Sequence, residues 1–245
     1  MTNSAHSLLT VAGDGIRSAG PVGSARTLRA VEEEGPEPRW TPISSDQLDG
    51  LLWRIEKEAG DGEIWVFAYG SLMWNPRFEI AATDDAVAFG WHRAFSLRIE
   101  WLRATSEAPG LMLALRQGGS CSGLILKLSH ATQRQDLRTL LGREIRYADV
   151  CDVVRWITVR TQTGNRRALA FWACPRQSHL AENVPLEEAA GLIAQACGPA
   201  GSCAQYLQRT VLDLAERRIF DRNLWQLQRI VAAKLQALPA PINPA

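Results

Sequence analysis

The chain has 245 residues, 46% hydrophobic and 22% charged, and its 27 Lys and Arg against 26 Asp and Glu leave a formal net charge of +1. These proportions supply enough apolar material for a sizeable core and exclude a generally disordered, collagen-like or coiled-coil chain. The near-zero charge argues against a dedicated nucleic-acid binder, which carries a basic excess. The apolar runs Ile64–Tyr69, Leu111–Leu115 and Leu124–Leu126 fall far short of the roughly 20 residues a membrane-spanning helix needs, so no membrane insertion is expected.

Residues 1–40 are rich in Gly, Ser, Ala, Pro and charge without a sustained period, and read as a mobile N-terminal extension. They lack the basic start of a secretory signal. Their only apolar stretch, Leu8–Ala12, is too short for a signal core, and Glu32, Glu33 and Glu34 oppose a transit peptide. The five cysteines, Cys121, Cys151, Cys174, Cys197 and Cys203, are odd in number and widely scattered. That pattern suits reduced thiols in a cytoplasmic protein better than a disulfide framework.

Residues 41–62 read as a leading helix, capped by Ser45 or Asp46, carrying Leu51, Leu52, Ile55 and Ala59 at helical spacing and stopped by Gly60 and Gly62. A compact domain is expected over residues 63–237, with a tail at 238–245. It opens with the buried strand Ile64–Tyr69, running into a sharp turn at Gly70-Ser71. Phe89–Leu102 alternates at Phe95, Leu97, Ile99 and Trp101 and predicts a long strand with one buried face. Leu111–Leu115 and Cys121–Leu128 flank Gln117-Gly118-Gly119, which predicts a hairpin. Thr132–Gly142 places Leu137, Leu140 and Leu141 on one helix face. Val153–Thr161 and Arg167–Cys174 flank Gln162-Thr163-Gly164-Asn165, a second hairpin. Three helices are expected at Leu186–Ala196, Cys203–Arg217 and Leu224–Leu235, with Pro185 and Ser202 at helix starts. The order lacks the regular strand–helix alternation of a doubly wound sheet. It predicts an α+β domain with a curved, mostly antiparallel sheet or barrel and flanking helices.

No phosphate-binding glycine loop, zinc-protease helix or nucleophile elbow is present. His6, His92, His130 and His179 form no spaced cluster, and Cys197 and Cys203 do not match the spacing of common zinc knuckles. Three stretches could carry chemistry. Phe67-Ala68-Tyr69-Gly70-Ser71-Leu72 ends a strand in successive backbone N–H groups, which suit a carboxylate or a developing oxyanion; the same pattern also describes a strand and tight turn packed over Trp74. Glu144 ends a helix, where the macrodipole disfavours negative charge. If enclosed there it would suit a general base; otherwise Arg143 and Arg146 could simply pair with it. Gly198-Pro199-Ala200-Gly201 opens a helix and offers free N–H groups with the Tyr206 phenol one turn in, or else is a plain helix link with Tyr206 in the core.

In this order the stretches resemble the ChaC-like γ-glutamylcyclotransferase family. The matching residues are Trp65–Pro76, Gly90-Trp91-His92-Arg93-Ala94-Phe95, Pro109–Leu115, Gly118–Gly123, Arg143-Glu144, Gly198-Pro199-Ala200-Gly201 and Tyr206-Leu207, spread over residues 63–235. The resemblance implies a cofactor-free enzyme that cleaves glutathione to 5-oxoproline and cysteinylglycine. It implies that Glu144 is the acid/base and that Val66, Phe67, Ala68, Tyr69, Gly70, Ser71 and Leu72 hold the γ-glutamyl group. Tyr206 and Arg93 are further candidates for contact with the substrate. Ala68 stands where the family usually has Gly, and Ser202-Cys203 replaces its usual Asn-bearing turn. Residues Ile145–Trp156 lack the family's Pro after the acid. Activity on other γ-glutamyl amines or peptides, or a non-catalytic ligand-binding or regulatory role on the same fold, are the alternatives.

The implied chemistry is economical. The α-amine of a γ-glutamyl group reaches its own γ-carbonyl and closes a five-membered lactam. Well-oriented intramolecular reactions gain roughly 7–11 kcal/mol over their bimolecular counterparts. What remains is to fold the γ-glutamyl chain, stabilise the oxyanion, deprotonate the attacking ammonium and return a proton to the leaving amine.

Overall fold

The computed structural model describes residues 41–148, 153–176, 179–181 and 183–237. The expected extension (1–40) and tail (238–245) lie outside the described residues. The described residues form two compact units, one from residues 41–97 and 113–180, the other from residues 98–112 and 181–237.

Five strands close into a barrel in the order β1-β3-β2-β4-β5: β1 (Trp65–Ala68), β2 (Ile80–Ile99), β3 (Gly110–Leu128), β4 (Val154–Thr161) and β5 (Gly164–Phe171). β1 pairs antiparallel with β3 and closes the barrel by pairing parallel with β5, Val66 opposite Leu169. Trp65 and Phe67 of β1, Ile157 and Val159 of β4, and Ala168 and Ala170 of β5 point into one buried cluster at every second residue, as a pleated strand requires. Ala86, Ala88, Ala168 and Ala170 share this cluster with the rings of Trp65, Phe67 and Trp91, the mix of small and large residues that a narrow barrel interior takes.

The β4–β5 hairpin follows the sequence closely. Val154 faces Phe171 and Thr161 faces Gly164, leaving Gln162-Thr163 as the loop. The hairpin expected at Gln117-Gly118-Gly119 does not form. β3 runs unbroken through it, with Gly118 and Gly119 at φ values of 104° and 70° in mid-strand. Glycines at positive φ serve a strand bulge as well as a reversal, and here they bend β3 past His92, whose Nδ1 lies 3.0 Å from the Gly118 carbonyl oxygen. β2 starts at Ile80, well before the expected Phe89: its first residues are mostly exposed and interrupted by Thr83-Asp84-Asp85, and the inward Ala86 and Ala88 are too small to mark a strand face.

α1 (Ser45–Ala59) starts one residue before its expected caps would place it, with Ser44 and Gln47 forming a reciprocal capping box. Its buried Leu51, Leu52 and Ile55 pack α1 against α2 (Gln133–Glu144), which buries Leu137, Leu140 and Leu141. Ion pairs of Arg138 with Asp49 and of Arg134 with Glu56 flank the contact. α2 extends two residues beyond its expected end, so that Glu144 is its last residue.

The second unit contains α3 (Leu186–Gln195), the short β6 (Cys197–Gly198) and β7 (Gly201–Ser202), α4 (Cys203–Glu216) and α5 (Arg222–Gln236). The expectation of free N–H groups at its Gly-Pro-Ala-Gly turn is corrected by the structure. Ala200 N–H donates to Leu102 O (2.8 Å), Ser202 N–H to Gln205 Oε1 (3.1 Å) and Cys203 N–H to Ala196 O (3.1 Å). Ser202 and Gln205 form a capping box, so the turn's donors satisfy the helix start.

Candidate active site

β1 delivers its loop to one end of the barrel. Val66, Phe67 and Ala68 are fully buried, so these side chains support the loop from within. The close approach of β3 depends on Gly123, where a Cβ would collide with the Ala68 carbonyl oxygen and meet the Phe67 ring at 3.2 Å. Tyr69 is half-buried against the barrel cluster, its ring 6.3 Å from that of Phe67. Gly70 then opens a 3₁₀ turn, Ser71–Met73. Met73 N–H bonds back to Gly70 O (2.9 Å), and Trp74 and Asn75 N–H to Ser71 O (3.2 and 2.8 Å). The N–H groups of Ser71 and Leu72 open the turn, and opening N–H groups have no partner within a helical turn. The Leu72 side chain itself is buried.

Arg143 joins this turn to the end of α2. Its Nη1 donates to Asn75 O (2.5 Å), its Nη2 donates to Ser71 Oγ (3.2 Å), and its Nε lies 3.3 Å from Glu144 Oε1. The Glu144 side chain is 25% exposed, so the carboxylate is partly sheltered yet reachable. Loop and acid are therefore brought together by one guanidinium, although 72 residues separate Ser71 from Arg143. The sequence offered Arg143 only as a possible partner of Glu144. Nothing in the residue pattern indicated that it clamps the turn.

Arg93 projects from β2, is 3% exposed, and donates from Nη1 to Tyr69 O (3.0 Å) and from Nη2 to Ser122 O. The first bond holds the start of the loop and the second ties Arg93 to β3. Tyr206 belongs to the second unit, on α4, and is 6% exposed. Arg103 lies over its ring (5.6 Å), and its carbonyl accepts from Thr210 Oγ1 (2.9 Å). Of the two open readings for Tyr206, the structure favours a buried core ring.

A strand-end turn and a sheltered carboxylate at the mouth of a closed, mostly antiparallel barrel define a γ-glutamylcyclotransferase-like fold. A yeast γ-glutamylcyclotransferase specific to glutathione superposes with a TM-score of 0.63 at 18% identity, over 70% of this chain and 96% of that one. The family model described as ChaC-like protein matches residues 64–234, and the chain belongs to that family. It is 36% identical over 171 residues to the glutathione-specific γ-glutamylcyclotransferase of Escherichia coli K12, covering 65% of this chain and 73% of the relative. It is 28% identical over 174 residues to γ-glutamylcyclotransferase 2-1 of Arabidopsis thaliana, covering 64% and 74%.

Proposed function

We propose that this protein cleaves glutathione to 5-oxoproline and cysteinylglycine by intramolecular aminolysis, with Glu144 as the proton shuttle. The observation that carries the reading is the Arg143 clamp, which places Glu144 beside the Ser71 turn. The turn's opening N–H groups, from Ser71 and Leu72, receive the substrate's α-carboxylate or the developing oxyanion. Glu144 accepts a proton from the α-ammonium, and the freed amine attacks the γ-carbonyl. A C–N bond of the lactam forms, and the peptide C–N bond breaks as its nitrogen takes that proton from Glu144; the regenerated carboxylate then accepts the second proton of the attacking nitrogen and passes it to the released amine, which leaves as its ammonium. No covalent intermediate and no cofactor enters this sequence. Family relatives that bear the name of this activity support it, and four free cysteines among the described residues, Cys121, Cys174, Cys197 and Cys203, support a reducing cytoplasmic setting.

The test is Glu144→Gln, which keeps shape and hydrogen-bonding reach but cannot take the proton. General acid–base steps contribute roughly 10²–10⁴-fold, so 5-oxoproline release from glutathione falls by at least that range while glutathione still binds. A folded Glu144→Gln protein that binds glutathione and turns over within a few-fold of the parent refutes the assignment. Parallel assays with γ-glutamyl dipeptides separate glutathione from other γ-glutamyl compounds as the substrate.

A further inference from the structure

The proposed reaction leaves the other half of the substrate unplaced: something must hold the leaving peptide. We propose that the barrel mouth beside Tyr69 is the subsite for that peptide and that the Arg155 guanidinium binds its terminal carboxylate. The inference rests on the γ-glutamyl reading of the neighbouring turn.

The pleat of the barrel places the residues. Ile157 and Val159 of β4 face the buried cluster, and Arg155 continues that register by one step. Ala168 and Ala170 of β5 face it, and Trp172 follows; Trp65 and Phe67 of β1 face it, and Tyr69 follows. β1 and β5 run parallel with Val66 opposite Leu169, so Tyr69 and Trp172 stand level at the same end. Arg155 faces Ala170 across the β4–β5 ladder, and Trp172 N–H bonds Val153 O (2.8 Å). Tyr69, Arg155 and Trp172 thus rim one opening. Barrel mouths are common ligand sites.

A pocket of about 420 Å³ lies there, lined by Arg155, Trp172, Cys174, Pro175 and Arg176. That falls within the roughly 300–1,000 Å³ of small-molecule sites. A two-residue peptide extended from the Tyr69–Leu72 turn spans about 7 Å, a length such a pocket accommodates.

Arg155 is prepared for an anion. Its guanidinium sits 5.5 Å from the Trp91 ring centroid and 5.0 Å from that of Trp172, and the two indoles meet edge to face at 5.6 Å and 79°. A guanidinium held by cation–π contact rather than by an acceptor keeps its N–H donors for a bidentate carboxylate. Among the described residues its contacts are these rings, and no carboxylate pairs with it. Arg176 adds a second cationic wall. A positively charged, aromatic-sided pocket next to a γ-glutamyl turn suits a small peptide end bearing a carboxylate.

The experiment uses the full chain carrying Glu144→Gln, which under the proposed reaction slows turnover at least about 10²-fold, titrated calorimetrically with glutathione and with glutathione whose C-terminal carboxylate is a carboxamide. Hydrogen bonds to charged groups set the scale: the carboxamide binds roughly 10- to 100-fold more weakly. Adding Arg155→Met weakens glutathione by the same factor and leaves the carboxamide unchanged, so the two ligands become alike. Arg155→Lys keeps the charge but not the flat fork and falls between. In the otherwise native chain, Arg155→Met raises KM for glutathione with kcat little changed. The proposal is overturned if the carboxamide binds as well as glutathione, if Arg155→Met weakens both ligands equally or neither, or if neither ligand binds. Failure of the reaction reading has a separate signature, the absence of 5-oxoproline from the native chain, and the two-ligand comparison still decides Arg155.

Discussion

Replacing Arg143 with Met keeps the length of the side chain and removes every polar contact it makes. The lost contacts are the hydrogen bonds to Asn75 O and Ser71 Oγ and the ion pair with Glu144. A hydrogen bond from a charged donor has a net worth of roughly 1.5–3 kcal/mol. The ion pair contributes less than about 1 kcal/mol, because both partners keep some solvent. The Asn75 carbonyl can recover part of its loss from water, so the total destabilisation is about 2–4 kcal/mol. For a chain of this size each kcal/mol shifts the melting temperature by roughly 2–4 °C, giving a fall of about 5–15 °C by differential scanning calorimetry. The effect on turnover is separate. With the clamp gone, Ser71 and Glu144 drift relative to each other, and a misplacement near 1 Å can cost about 10²-fold. Release of 5-oxoproline from glutathione should therefore fall about 100-fold at temperatures where the variant is fully folded. Arg143→Lys retains charge beside Glu144 but cannot reach two acceptors with a fork, and should recover part of the stability and less of the turnover. An Arg143→Met protein that melts within 2 °C of the parent (about 1 kcal/mol or less) and turns over within about threefold would show that the clamp positions nothing.

Gly123→Ala forces a methyl against the Ala68 carbonyl and the Phe67 ring; overpacking of this kind costs about 1–3 kcal/mol or more, seen as a lower midpoint in urea together with lost turnover, and an unchanged midpoint would contradict the contact. The Cys203 thiol is pushed up to about 12, first by burial, and its Sγ lies 3.3 Å from Arg103 O, whereas Cys197 is exposed. At pH 8 only about 1 in 10⁴ of Cys203 is thiolate, so a thiol-alkylating reagent followed by peptide mass spectrometry should mark Cys197 and spare Cys203 until the protein unfolds. Early labelling of Cys203 would contradict its burial.

Much of the barrel was legible because its strands alternate or are β-branched and aromatic. β1, β4, β5 and the capped helices α1 and α4 emerge close to where the residues place them. The errors share a cause. Gly118-Gly119 has the residue types of a reversal, but whether positive-φ glycines turn a chain or bulge a strand is decided by the partner strand, here β2 with His92. The first half of β2 was missed because its opening residues are mostly exposed around Thr83-Asp84-Asp85, and the buried Ala86 and Ala88 are too small to stand out as a hydrophobic period. At the site, the turn and Glu144 could be singled out as backbone donors and a helix-end acid. Their juxtaposition could not, because it depends on Arg143 reaching across from α2 to Ser71 and Asn75. The free donors expected at the Gly198-Pro199-Ala200-Gly201 turn failed for the converse reason: a local pattern says which groups need partners, not that the fold has supplied them.

The segment after Glu144 shows how the family's shared chemistry and this chain's own features fit together. The family match begins at residue 64, yet residues ahead of it hold the segment that follows α2. Ile43 N–H donates to Arg146 O (3.0 Å), Ala148 N–H donates to Thr41 O (2.9 Å), and Pro42 bridges Tyr147. Ile145 between them is fully buried, and α1 lies along α2 with Leu48 near Gly142. The acid is thus fixed from two directions, by Arg143 toward the matched turn and by residues 41–43 on the unmatched side. A backbone ladder of this kind tolerates substitution of its side chains, because the bonds are made by main-chain groups. That freedom accounts for a segment, Ile145–Ala148, that can depart from the family text while the carboxylate keeps its place. The departure runs on to Arg155, whose side chain lines the pocket at the barrel mouth, and to Trp156, which points to the other face of β4 beneath Arg167. Every γ-glutamyl substrate shares its reacting half and differs only in what leaves, so under the proposed reaction the turn and Glu144 serve the shared half and the Arg155 rim serves the variable one.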